Sequence, residues 1–231
     1  MVFDVETTGL IPKKDPITKR NPSLSEKPYI IQLSFIVYNI VDGCIDEISN
    51  SYINVDESVE VSEFITGLTG ITRETLNTRG IPMIDALRKF YEHYMTVDCV
   101  VAHNIQFDSS LLMIEIERHY GELEKTIPQI LNIFNPIYLK WKNMDTCCTM
   151  KSSIYICNLL TTSATDPTKT YKKFPKLVEL YKNLFNVEAV NLHNSLVDTL
   201  YTLRCFLKLK IHVEVHDVKF QHMLERVHSI I

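Results

Sequence analysis

The chain has 231 residues, 45% of them hydrophobic, which is enough for one domain with a sizeable core. Net charge is −4, the pI is near 6.1 and mean hydropathy is −0.01, so nothing marks a broadly basic nucleic-acid binder, and no apolar run nears the roughly 18 residues of a membrane span. The first residues lack a basic-then-apolar leader, and the six cysteines (Cys44, Cys99, Cys147, Cys148, Cys157, Cys205) form no Cys-x-x-Cys pair; reduced thiols in an intracellular setting, cytoplasm or nucleus, are expected rather than secretion.

Residues 2–6 (VFDVE) alternate as a strand, with Phe3 and Val5 on one face and Asp4 and Glu6 on the other. Thr7-Thr8-Gly9 turns the chain into a long loop over 11–28, which its length marks as functional or mobile. Residues 29–38 read as a buried strand and 45–54 as its partner after the Asp42-Gly43 turn. Short helical turns cover 56–81, and Pro82 opens a helix with Ile84, Leu87, Tyr91 and Tyr94 at helical spacing. Residues 97–102 form a short central strand, followed by a helix beginning near Asp108 and running to Tyr120. The stretch 121–172 is the least legible; Asp145-Thr146 reads as a helix start and 161–172 as a polar loop. Helices follow from Pro175 and over about 194–208, the second with Leu196, Leu200, Leu203 and Leu207 in register. Residues 209–231 read as an extension of a 1–208 domain, first extended, then an amphipathic helix with Phe220, Met223, Leu224, Val227 and Ile231. Early strands followed by helices indicate an α/β class with a mixed sheet flanked by helices.

The chemistry lies in scattered acids. Asp4 and Glu6, two apart on a strand, leave the same face, where like charges raise each other's cost of ionisation unless a divalent cation is present. Oxygen ligands of this kind suit Mg²⁺ or Mn²⁺. Asp108 falls in the first turn of a helix, where the dipole favours a carboxylate. Asp198 is flanked by Leu196, Val197 and Leu200, which turns it towards a site, and His193 neighbours it only if the histidine lies in the entering loop.

Three segments together resemble the motifs of the DEDDh 3′→5′ exonucleases, the DnaQ-like family with a ribonuclease H-like fold that includes polymerase proofreading subunits, ribonuclease T and three-prime repair exonucleases. They are Phe3-Asp4-Val5-Glu6-Thr7-Thr8-Gly9-Leu10, His103-Asn104-Ile105-Gln106-Phe107-Asp108, and His193-Asn194-Ser195-Leu196-Val197-Asp198 with its His-x4-Asp spacing. The resemblance covers about residues 1–208 and keeps all five signature positions, while the 11–28 loop is longer than a compact member needs.

The resemblance implies hydrolysis of phosphodiester bonds at single-stranded nucleic-acid 3′ ends, with DNA favoured over RNA and 5′-mononucleotides released. Asp4, Glu6, Asp108 and Asp198 would hold two divalent cations, Mg²⁺ or Mn²⁺, and His193 would accept a proton from the attacking water. It further implies that Thr7, Leu10, Ile65, Thr66, Asn104 and Phe107 contact the terminal nucleotide. Lys13, Lys14, Lys19, Arg20 and Lys27 in the long loop are candidate phosphate contacts, or simply a solvated loop. The alternatives are a proofreading partner of a DNA polymerase, a homodimer, and a catalytically silent nucleic-acid-binding module. A silent module has no need of five such residues.

Overall fold

Strand β1 (Val2–Thr7) sits at the centre of a five-stranded sheet ordered β3-β2-β1-β4-β5, with β2 at Ile30–Asn39, β3 at Cys44–Tyr52, β4 at Cys99–Ala102 and β5 at Asp145–Cys148. β1 to β3 form an antiparallel meander, and β4 and β5 run parallel to β1. The computed structural model describes residues 1–163, 165–166 and 168–229.

Between β3 and β4 lie α1 (Glu63–Thr69), α2 (Arg73–Arg79) and α3 (Met83–Tyr94). Ser62 and Thr72 cap the first two by accepting the backbone N–H of Ile65 and Thr75. Gly80, just past α2, has no room for a side chain, since a Cβ there would lie 2.6 Å from Asn54 N. α4 (Ile105–Arg118), α5 (Tyr120–Thr126) and α6 (Pro136–Lys142) lead to β5. Then come α7 (Thr149–Ser152), α8 (Ile154–Cys157), a ribbon of β6 (Leu160–Thr162) and β7 (Thr170–Lys172), α9 (Leu177–Phe185), α10 (Ser195–Phe206) and α11 (Val218–Ser229).

The sheet separates two cores, which is why β2 and β4 read as nearly continuous apolar runs. Phe3, Val5, Leu33 and Phe35 point to one side, against Leu87 and Phe90 of α3 and Leu111 and Leu112 of α4. Val2, Ile36 and Val101 point to the other, beneath Leu180, Tyr201, Leu203 and Phe220. The β1–β2 register pairs Asp4 with Ser34 and Glu6 with Gln32, so four polar residues share this second face at the carboxyl end of β1.

Four expectations need correction. The helix carrying Asp108 begins at Ile105 and ends at Arg118, so it starts three residues earlier and stops two residues sooner than expected, with the acid still in its first turn. Asp145-Thr146 starts no helix: the exposed edge of β4 takes up 145–148 as a parallel strand, and helix begins only at Thr149, because open ladder bonds outweigh a local cap signal. Part of the supposed polar loop 161–172 is the β6–β7 ribbon, with Thr161 opposite Tyr171; positions 164 and 167 lie outside the described residues. The tail does not start extended: a helical turn runs on through Leu207–Ile211, His212 is left-handed with φ 59°, and 213–217 hold no regular structure. In α11, Phe220, Leu224 and Val227 are buried in the second core, and Asp217 accepts the Ile45 N–H at 3.1 Å; Ile231 lies outside the described residues. No helix among the described residues is long and apolar enough to cross a membrane.

Candidate active site

Asp4 and Glu6 stand on the α10 side of β1, and α10 is pinned to that face by buried polar contacts. Ser195 N–H donates to Gln32 Oε1 at 3.2 Å, and the Ser34 and Ser195 hydroxyls lie 2.6 Å apart. Asn194 caps the helix through its side-chain oxygen, which accepts the N–H groups of Leu196 and Val197. One turn in, Asp198 reaches the strand acids: carboxylate oxygens of Asp4, Glu6 and Asp198 all lie within 4.8 Å of one another. His193 precedes the helix with φ 67°, a left-handed conformation that histidine tolerates better than most residues. That turn aims its backbone N–H at Asp198 Oδ2, 3.3 Å away, and leaves the residue exposed at the cleft. This is the entering-loop placement that the His-x4-Asp spacing required.

Asp108 is 3% exposed, in the first turn of α4. It lines the same cleft but stands outside the tight trio, with the backbone N–H groups of Asp108 and Val5 partly offsetting the effect of burial on its carboxyl. The cleft has a volume of about 430 Å³ and is also lined by His103, Asn104, Phe107, Phe174, Lys176 and His193.

The electrostatics are those of a site short of positive charge. Burial, and then the charges of Asp108, Asp198 and Glu6, hold the Asp4 carboxyl well above the ordinary carboxylate range. Glu6 is pushed up to about 8 by burial and then by Asp198 and Asp108. Asp108 and Asp198 are both pushed up to about 7, chiefly by burial. None of the four has an ion-pair partner among the described residues. Asp198 Oδ1 is buried with no hydrogen-bond partner. A convergent all-oxygen donor set with an orphaned lone pair fits hard divalent cations, which would reverse these pKa shifts.

Of the six residues expected to contact substrate, Asn104 and Phe107 line this cleft. Thr7 is buried and donates its hydroxyl to Gly9 O at 2.7 Å, closing the turn after β1. Leu10, 82% exposed, lines a separate groove with Lys27, Tyr29 and Val59. Ile65 packs in the first core, and Thr66 is half-buried on the same helix. In the long loop, Arg20 is held by Glu26, Lys27 by Glu117 and Lys19 by Pro16 O, whereas Lys13 and Lys14 are exposed.

His103 is a further site residue, and its place directly after β4, at the carboxyl end of a central strand, is the signal for it in the sequence. Its Nε2–H donates to Pro175 O at 3.0 Å, so Nδ1 accepts the Thr149 hydroxyl, also at 3.0 Å. Burial lowers its pKa to about 4, and the neutral ring ties the cleft wall at 174–176 to β4 and α7.

The RNase_T family model, described as an exonuclease, matches residues 1–206. Over 227 residues, 95% of this chain, the sequence is 26% identical to the PolC-type DNA polymerase III of Clostridium perfringens (strain 13 / Type A), covering 12% of that protein. The chain spans about a tenth of the length of the curated relatives it matches. Two solved structures share the fold. Escherichia coli exonuclease I in complex with a dT13 oligonucleotide aligns with a TM-score of 0.59 and 15% identity, over 97% of this chain and 42% of that one. The nuclease domain of 3′hExo, a DEDDh family member bound to rAMP, aligns with a TM-score of 0.58 and 16% identity, over 91% of this chain and 90% of that one. The sheet is thus the mixed, helix-flanked sheet of the ribonuclease H-like exonucleases. The family match runs from β1 to the last turn of α10, the span that carries all three motifs, and the chain belongs to the RNase_T exonuclease family, bearing out the DEDDh resemblance.

Proposed function

We propose that this exonuclease-family chain is a metal-dependent 3′→5′ exonuclease acting on single-stranded ends and releasing 5′-mononucleotides. The observation that carries the reading is the meeting of Asp4, Glu6 and Asp198 from two distant segments, with Asp198 Oδ1 left unpartnered, in one cleft with Asp108 and His193. Asp4, Glu6, Asp108 and Asp198 would hold two divalent cations, Mg²⁺ or Mn²⁺. When bound, these supply charge neutralisation at the scissile phosphate and acidify the attacking water. His193, exposed beside the acids, accepts the water's proton as its oxygen bonds to phosphorus; the P–O3′ bond breaks, and the leaving oxygen gains a proton from solvent. Asn104 and Phe107, on the cleft wall, orient the terminal nucleotide; Thr7, Leu10, Ile65 and Thr66 would act from the turn after β1 and from α1. The polymerase relatives favour DNA as substrate, and the rAMP in 3′hExo keeps RNA as the second arm of the test.

The test is digestion of 5′-labelled single-stranded DNA and RNA with Mg²⁺ or Mn²⁺. The expected result is a ladder shortening from the 3′ end, abolished by chelator and by Asp4→Ala. His193→Ala should lower kcat on the order of 10²–10⁴-fold. Release of the labelled 5′ nucleotide first, or undiminished cutting in chelator, would overturn the reading.

The PolC-type likeness favours a second reading, in which this activity serves a DNA polymerase as its proofreading function. Faster excision of a mismatched than of a matched primer end, with a polymerase present, would support it.

A further inference from the structure

Between residues 149 and 176 the chain carries five lysines and one aspartate, in a protein of net charge −4. This stretch holds α7, α8 and the β6–β7 ribbon, which pairs with no other strand among the described residues. Every residue of β7 is exposed. So are large rings that a fold would ordinarily bury: Tyr155 is 79% exposed, Tyr171 55% and Phe174 51%. Lys172 lies over the Tyr155 ring, its Nζ 4.3 Å from the centroid, so charge and ring face are presented together.

The patch continues into the acid cleft. Two residues after β7 the chain reaches Phe174, and Phe174, Pro175 and Lys176 form part of the cleft wall. The root is fixed by the His103–Pro175 hydrogen bond, by the Lys173–Glu179 ion pair at 2.5 Å, and by Glu179 accepting the Lys176 N–H at 2.8 Å. A surface of exposed aromatic rings interleaved with lysines, leading to a phosphate-cutting cleft, matches the chemistry of a single nucleic-acid strand: bases stack without regard to sequence, and phosphates meet lysine.

We propose that α8 and the β6–β7 ribbon form a landing platform for the strand whose 3′ end enters the acid cleft, with Tyr155 and Tyr171 stacking bases and Lys172 meeting phosphate. The proposal rests on the exonuclease reading above. It makes substrate affinity depend on strand length, a trinucleotide engaging the cleft and a longer strand the ribbon as well.

The experiment uses the full chain, a 5′-fluorescein trinucleotide and a 20-mer of the same single-stranded DNA, and the double variant Tyr155→Ala/Lys172→Ala. The wild-type KM should be lower for the 20-mer. In the variant, KM for the 20-mer should rise on the order of tenfold, a loss of about one base stack, while that for the trinucleotide moves less than twofold. The slope of log affinity against log salt for the 20-mer, read by anisotropy in chelator, should fall by about 0.7 for the one lysine removed, which a merely structural role would not produce. Tyr155→Phe should behave as wild type, since it keeps the stacking face. Equal wild-type KM at both lengths, or a variant that weakens both alike, would overturn the platform and leave the exonuclease reading standing. Length-dependent, variant-sensitive binding without cleavage under either metal would do the reverse: it would support the platform and overturn the exonuclease reading.

Discussion

Asp198 shows what one residue is asked to do in this protein. Its Oδ2 accepts the N–H of His193, and its Oδ1 is buried with nothing to bond. Leaving such a group unsatisfied costs stability on the order of 1–3 kcal/mol, and like charges nearby add to the cost. The sign of the pH dependence follows from the raised carboxyls. Their protonated forms are favoured in the folded state, so the metal-free protein has its full stability from this cluster below about pH 4. That stability is lost as pH rises through the values near 7 for Asp108 and Asp198 and near 8 for Glu6. In chelator at pH 8, Asp198→Asn should therefore be more stable than wild type, on the order of 1–3 kcal/mol, and inactive; near pH 4 the two should converge. Urea unfolding at the two pH values measures this. Mg²⁺ or Mn²⁺ should raise the unfolding midpoint of the wild type at pH 8 and leave that of Asp198→Asn nearly unmoved. A variant less stable than wild type at pH 8 would mean that the acids are not in conflict.

At the scale of elements, α4 does two jobs. Its first turn presents Asp108, and its last turn holds the end of the long loop in place. The Arg118 guanidinium donates to the carbonyls of Leu24, Lys27 and Pro28, pairs with Glu115 at 2.6 Å and stacks on Tyr29 with its carbon 3.6 Å from the ring centroid. Glu115 in turn accepts the N–H of Ile30, the first residue of β2. Because Arg118 and Glu115 are almost fully buried, Arg118→Ala strands a carboxylate and three carbonyls, and should cost about 3–5 kcal/mol. Arg20→Ala removes an ion pair from the same loop but at the surface, where water screens it, and should leave the urea midpoint nearly unmoved. Equal urea midpoints for the two variants would show that the clamp is not what orders this segment. The loop's length alone pointed to function or mobility; the partners that hold its far end lie about ninety positions away in the sequence.

At the scale of the molecule, two cores lie on opposite faces of one sheet, and the acid cleft opens at the carboxyl end of β1 on the second-core side. The tail belongs to that second core. Phe220, Leu224 and Val227 of α11 are buried in it, so the apolar stripe that a docking helix would offer is already covered. Removing residues 209–231 should destabilise the protein by several kcal/mol, since each such side chain is worth roughly 1.5–3 kcal/mol when buried. A truncated chain with an unchanged urea midpoint would show that α11 contributes nothing to that core.

What the sequence determined by itself was whatever a local pattern can carry: the alternation that puts Asp4 and Glu6 on one face, the helical register after Asn194, and the three motifs whose order and spacing led to the family. These survive because strand and helix periodicity are properties of neighbouring residues. Tertiary structure decided the rest. Asp145 joined a strand because β4 offered an unpaired edge, residues 161–172 gave part of their length to an exposed ribbon, and His103 became the tie that holds the cleft wall. The meeting of Asp4 and Glu6 with Asp198 across nearly two hundred positions also depends on Gln32 and Ser34 gripping Ser195. Contacts of that kind form between segments that are strangers in the chain, and only packing brings them together.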